Sequence, residues 1–100
     1  MTPQEAYDYL NTVIWLGRLP NAKVDLVEDA IMPRCWGLTL AVAGLARPII
    51  MLNEKNRKWE VTLIHEMTHL AEPTLPEGKV FDALVQYYWS QAKQRKEKVF

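Results

Sequence analysis

Among its 100 residues the chain has one cysteine, two histidines and four glycines. With Cys35 alone, no intramolecular disulfide framework can form, and a reducing cytoplasm is the expected compartment. Excess charge of either sign is also missing, because 12 basic and 12 acidic residues cancel. That balance argues against a strongly basic nucleic-acid-binding domain and against an acidic tail. No apolar run approaches the ~20 residues that span a bilayer. The opening Met1-Thr2-Pro3-Gln4-Glu5 lacks the basic and then apolar pattern of a secretory signal. Repeats, low-complexity segments and interdomain linkers are absent as well. What remains is the expectation of one small domain over residues 1–100, with 49% hydrophobic residues to build its core. Lys93, Arg95, Lys96 and Lys98 cluster near the C-terminus, where they complement a helix dipole on a solvated face.

The patterning predicts an α+β fold: an N-terminal helix, a three-stranded sheet, a central helix and a C-terminal helix. Thr2 can cap a helix, Pro3 suits its first turn, and Glu5 completes a capping box. Tyr7, Leu10, Val13 and Ile14 carry that helix to about Trp15 or Leu16, where Gly17 and Pro20 stop it. Strands are expected over Ala22–Val27, Trp36–Ala41 and Pro48–Leu52, with Gly44 in a turn. Asn56 can cap a helix running from Arg57 to about Ala71, whose packing face is Trp59, Leu63, Met67 and Leu70. Two prolines, Pro73 and Pro76, break it. A last helix begins near Glu77, with Val80, Phe81, Leu84, Val85 and Tyr88 as its apolar stripe.

Both histidines fall in His65-Glu66-Met67-Thr68-His69. Residues four apart on a helix lie one above the other, so the two imidazoles can reach one tetrahedral zinc. Glu66 between them is placed to act on a water at that metal. A catalytic zinc takes three protein ligands and keeps one position open. The chain has no third histidine, so the third ligand is a carboxylate, Cys35, or none. Glu72 shares the histidine stripe but lies nearly two turns from His65, and one straight helix rarely curls three side chains around an ion. Glu77, beyond the proline turn, can approach from another direction, so geometry favours it. Asp82 is further along, either a support for a ligand or an exposed helix residue. A lone cysteine such as Cys35 is most often simply buried.

Leu63-Ile64-His65-Glu66-Met67-Thr68-His69-Leu70, followed by Pro76-Glu77-Gly78-Lys79-Val80-Phe81, resembles the SprT-like zinc metalloproteases. In that family a His-Glu-x-x-His helix precedes a short loop and a Pro-His-Gly-x-x-Phe/Trp segment, whose histidine is the third ligand. The segments Trp36-Gly37-Leu38 and Ile50-Met51-Leu52-Asn53 are similar to its strand pair. The likeness covers roughly residues 33 to 90 and implies a small zincin-like domain. Glu77 stands where the family has histidine. Glutamate is also a zinc ligand, so the exchange changes the charge of the set and hardens it without removing it.

The expectation is therefore a zinc metalloendopeptidase, with His65, His69 and Glu77 holding Zn2+ and Glu66 as general base toward the activated water. Tyr87, Tyr88 and Arg34 are candidates by residue type for stabilising an oxyanion. An extended protein or peptide substrate would add to an edge strand, either Ala46–Leu52 or Trp36–Ala41. The alternative is a non-catalytic, metal-stapled binding module of a larger assembly, which would not need Glu66. So small a domain is expected to use a partner protein to position its substrate, with no membrane attachment and weak or no DNA binding.

Overall fold

The computed structural model describes residues 1–41, 44 and 46–95. Its elements are α1 (Pro3–Val13), β1 (Lys23–Val27), β2 (Gly37–Leu40), β3 (Ile49–Asn53), α2 (Trp59–Ala71) and α3 (Lys79–Lys93). This is the α+β layout expected. The strand order is β1-β3-β2, with β1 parallel and β2 antiparallel to β3. The central position of β3 removes Ala46–Leu52 as an edge for substrate, because both sides of that strand are already paired. Among the described residues no helix is long and apolar enough to cross a membrane.

The N-terminal capping box forms as expected, the Thr2 hydroxyl accepting from the Glu5 N–H while Glu5 accepts from the Thr2 N–H. The helix stops at Val13, two or three residues before the expected end. Leu16 and Gly17 turn left-handed there, at φ 56° and 77°, a region that favours glycine. Asn11 then pins the loop, its side-chain amide exchanging two hydrogen bonds with the backbone of Leu19. Gln4 does the same for β1, accepting from the Val24 N–H and donating to the Ala22 carbonyl.

Helices pack on one face of the sheet. Val24, Ile50 and Leu52 point inward against Tyr7, Leu10, Leu63, Ile64 and Met67, all buried. Full burial of one such side chain stabilises by about 1.5–3 kcal/mol. On α2 the buried stripe is wider than expected, adding Ile64 and Thr68, whereas Trp59 and Leu70 are only partly buried. Asn56 lies two residues before the N-cap, Lys58, whose own side chain makes no capping bond. Its side chain accepts from the Lys58 N–H and donates to the Thr62 hydroxyl, bracing the helix start from outside. The last helix begins at Lys79 rather than near Glu77, and Val80 faces solvent instead of joining the apolar stripe. At its far end Lys93 stands 5.6 Å over the Trp89 ring and Arg95 donates to the Gln91 carbonyl. Lys96 and Lys98 lie outside the described residues.

The β2 register opposes the hydrophobic alternation of its sequence. Leu38 and Leu40 face outward and are exposed, while Gly37 and Thr39 face α2, paired with Leu52 and Ile50. Asn53, buried at the end of β3, holds the loop leading to β2. Its amide donates to Asp29 and to the carbonyls of Met32 and Cys35.

Tyr7 is buried and donates to the Pro20 carbonyl at 2.6 Å. Burial, with a smaller contribution from the Asp8 charge, pushes its phenol from the usual 10 up to about 12. The folded state thus keeps a proton that the unfolded chain releases, so this contribution to stability is complete below pH 10 and lost as pH rises to about 12. Tyr7→Phe should cost about 1–3 kcal/mol near neutral pH by leaving the carbonyl without its donor. In urea melts run across that range, the gap between wild type and variant should narrow as pH rises.

Candidate metal centre

Helical periodicity sets His65 and His69 together on a half-buried side of α2, away from Leu63 and Met67, while Glu66 falls among the buried residues of the helix. The Pro73–Pro76 turn reverses the chain and returns Glu77 to the same place just before α3. Its Oε1 lies 2.9 Å from Nε2 of His65 and 2.9 Å from Nε2 of His69. One ligand atom from each of the three residues lies within 4.8 Å of the others, a group that can hold a metal ion. Hydrogen bonds from His65 and then His69 hold the Glu77 carboxyl below its ordinary range, against a smaller opposing effect of burial.

Ligands 2.0–2.1 Å from a tetrahedral zinc sit roughly 3.3 Å apart. The observed 2.9 Å spacings need to open by only a few tenths of an ångström to admit such an ion. Two neutral nitrogens and one carboxylate oxygen also form a donor set that zinc accepts. The residues present therefore fit the metal that the motif implies.

Phe81, wholly buried, supports both imidazoles. Its ring stacks on His69 at 4.4 Å and meets His65 edge-on at 4.9 Å. Glu66 is held apart from the three ligands, turned toward β2. Its side chain is largely buried, and Oε1 accepts from the Thr39 hydroxyl at 2.8 Å. Gly37 makes this approach possible. A Cβ there would meet Thr62 Cγ2 at 2.5 Å and both Cγ and Oε2 of Glu66 at 3.4 Å.

Two clefts meet at Gly37 and Glu66. One, of about 530 Å³, runs between α2 and α3 past His65 and is closed on one side by Trp36. The other, of about 680 Å³, follows β2 past His69 to Pro73 and Glu77. Glu72 is not drawn into the centre. It is the C-cap of α2, exposed, and lines a separate cleft with Trp15, Arg18 and Tyr88. The helix ends one residue too early to keep it on the histidine stripe. Cys35 is partly buried, and its thiol donates to the Gly37 carbonyl. Asp82 lines the α2–α3 cleft but is outside the ligand group. Tyr87, Tyr88 and Arg34 line neither cleft at Glu66. Tyr88 instead packs on Trp15 at 4.6 Å.

The sequence reading overlooked Thr39 and the part played by Gly37. A glycine inside a strand is a known sign of close backbone approach, so Gly37 carried a usable signal. Thr39 carried none, because its role depends on which face of β2 turns inward. Comparison with protein-family models, curated proteins and solved structures returns no match for this chain.

Protein dialysed against zinc should retain one equivalent and melt at a higher temperature than chelator-treated protein, since a ligand bound only by the folded state stabilises it. Glu77→Ala should weaken zinc binding by more than about a hundredfold, the upper range for removing a group one layer further out. Glu72→Ala and Cys35→Ala should leave it unchanged. Elemental analysis and competition with a chromogenic chelator read both outcomes.

Proposed function

We propose that the protein is a zinc metalloendopeptidase related to the SprT-like family, with Glu77 replacing the family's third histidine. The observation that carries this reading is the convergence of His65, His69 and Glu77 beside a separately held Glu66. Zinc, when bound there, supplies a Lewis acid that polarises a carbonyl and makes water acidic enough to attack at neutral pH. Phe81 keeps the two imidazoles in their ligating orientation, and Glu77 contributes a negative charge. Glu66 takes a proton from the attacking water and returns it to the leaving amine. The Thr39 hydroxyl holds Oε1 in place, so the carboxylate keeps its aim without drifting toward a ligand position. A metal-stapled binding module would give no reason for Glu66 to be buried and held in this way.

The clefts support action on internal bonds. A substrate laid through both passes Glu66 without ending there, as an endopeptidase requires. The second cleft runs beside Leu38, Thr39 and Leu40, so an extended chain can pair along the β2 edge. On the opposite edge, Gln4 already occupies backbone groups of β1 and of the preceding Ala22.

Glu66→Gln should keep stoichiometric zinc and lose roughly 10²–10⁴-fold of the rate on an unfolded protein such as casein. Undiminished cleavage by that variant, or zinc binding without any cleavage by the wild type, would refute the enzyme reading. Thr39→Val should lower kcat roughly ten- to a hundredfold through loss of one charge-assisted hydrogen bond, with little change in KM. Thr39→Ser should restore most of the rate, as steady-state kinetics on a quenched-fluorescence peptide would show.

A further inference from the structure

The cleft between α2 and α3 has a composition that the proposed chemistry does not call on. Asp82, Val85 and Gln86 lie three and four residues apart on α3, so they share one face. Val61 lies one turn before His65 on α2 and faces them across the groove. Val85 is buried and Val61 partly so, giving the groove an apolar floor. Trp36, 56% exposed, stands as its wall. Asp82 is exposed at the rim, and among the described residues its carboxylate has no ion pair or side-chain hydrogen bond. Among the described residues no lysine or arginine lines the cleft. The first turn of α3 favours a carboxylate at this position, and Lys79, three residues earlier in that turn, makes no ion pair with it among the described residues.

We infer that this cleft is a subsite for a basic side chain, arginine or lysine, of a peptide whose adjacent backbone lies at Glu66. Such a side chain has the amphipathic form the groove demands. Its methylene stem covers Val61 and Val85, and its charged head reaches the Asp82 carboxylate at the water-facing rim. The exposed face of Trp36 adds a cation–π contact, which the planar guanidinium of arginine exploits best. An acidic side chain meets like charge from Asp82 at the rim, with Glu66 below. An uncharged side chain of the same length gains only the floor. The preferred order is therefore arginine and lysine, then norleucine, then glutamate.

This inference rests on the peptidase reading for the position of the backbone, but its test does not need turnover. The zinc-loaded Glu66→Gln protein is titrated calorimetrically with hexapeptides that differ at one central residue: lysine, norleucine or glutamate. Lysine should bind roughly five- to tenfold tighter than norleucine, the range for one exposed ion pair plus one cation–π contact. The preference should shrink at about 1 M salt and fall to roughly two- to threefold, the share of the cation–π contact, in the doubly substituted Glu66→Gln, Asp82→Asn protein. Equal affinities for lysine and norleucine, no measurable binding of either, or a preference undiminished by Asp82→Asn would each overturn the inference. Cleavage of casein by the wild type is scored separately. Cleavage without a basic preference leaves the peptidase reading standing and removes the subsite, whereas a basic preference without cleavage does the reverse.

Discussion

The close approach of α2 to β2 is the constraint on which the rest of the centre depends. At Gly37 no side chain fits, because Thr62 and Glu66 already fill the space a Cβ would need. With the helix that near, the inward-facing position two residues along the strand, Thr39, comes within hydrogen-bonding distance of Glu66. A carboxylate buried without a partner would be expensive, and the threonine hydroxyl offsets that expense. It also explains why β2 turns its polar residue inward and its leucines outward. Asn53 secures the arrangement from the other side by tying down the loop that delivers Trp36 and Gly37.

The ligand group is assembled from one local and one non-local part. His65 and His69 are neighbours by helical repeat alone, and Phe81 locks their rings from beneath. Glu77 arrives through a turn that prolines force, and its carboxylate takes hydrogen bonds from both imidazoles. Those bonds place its oxygen between the two nitrogens, close to the spacing a tetrahedral ion imposes. Glu66, only one residue from His65, is drawn instead to the strand. Separating the ligands from the proposed base in this way lets neighbouring side chains take different roles.

The two edges of the sheet are treated differently. Gln4 covers backbone groups at the start of β1, blunting an edge that would otherwise invite pairing. Beside β2 lies a cleft that leads to His69 and Glu77. Together with the α2–α3 groove on the far side of Glu66, it gives a path across the centre rather than a blind pocket. The contrast between a protected edge and an accessible one is the physical basis for the proposed placement of an extended substrate at β2.

Much of this was legible in the sequence wherever a local rule sufficed. The capping box at Thr2 and Glu5, the three strands, the histidine spacing on α2 and the proline break all follow from periodicity and backbone chemistry within a few residues. Glu77 was favoured over Glu72 by helix geometry and by the resemblance of the Pro76-Glu77-Gly78 segment together, with Glu72 left open. The order of the strands did not follow, and it turned Ala46–Leu52 from a candidate edge into the sheet's centre. Nor did the inward turn of Thr39, since alternation in Gly37-Leu38-Thr39-Leu40 points the leucines inward and the pairing with β3 points them out. Val80 and Asn56 were misplaced for a related reason: exposure and capping depend on where a helix begins, which its neighbours decide. By itself the sequence determined which residues can share a helix face and where the chain must turn. Only the tertiary structure decided which strand Glu66 meets, because that contact joins residues 27 positions apart and no local pattern encodes it.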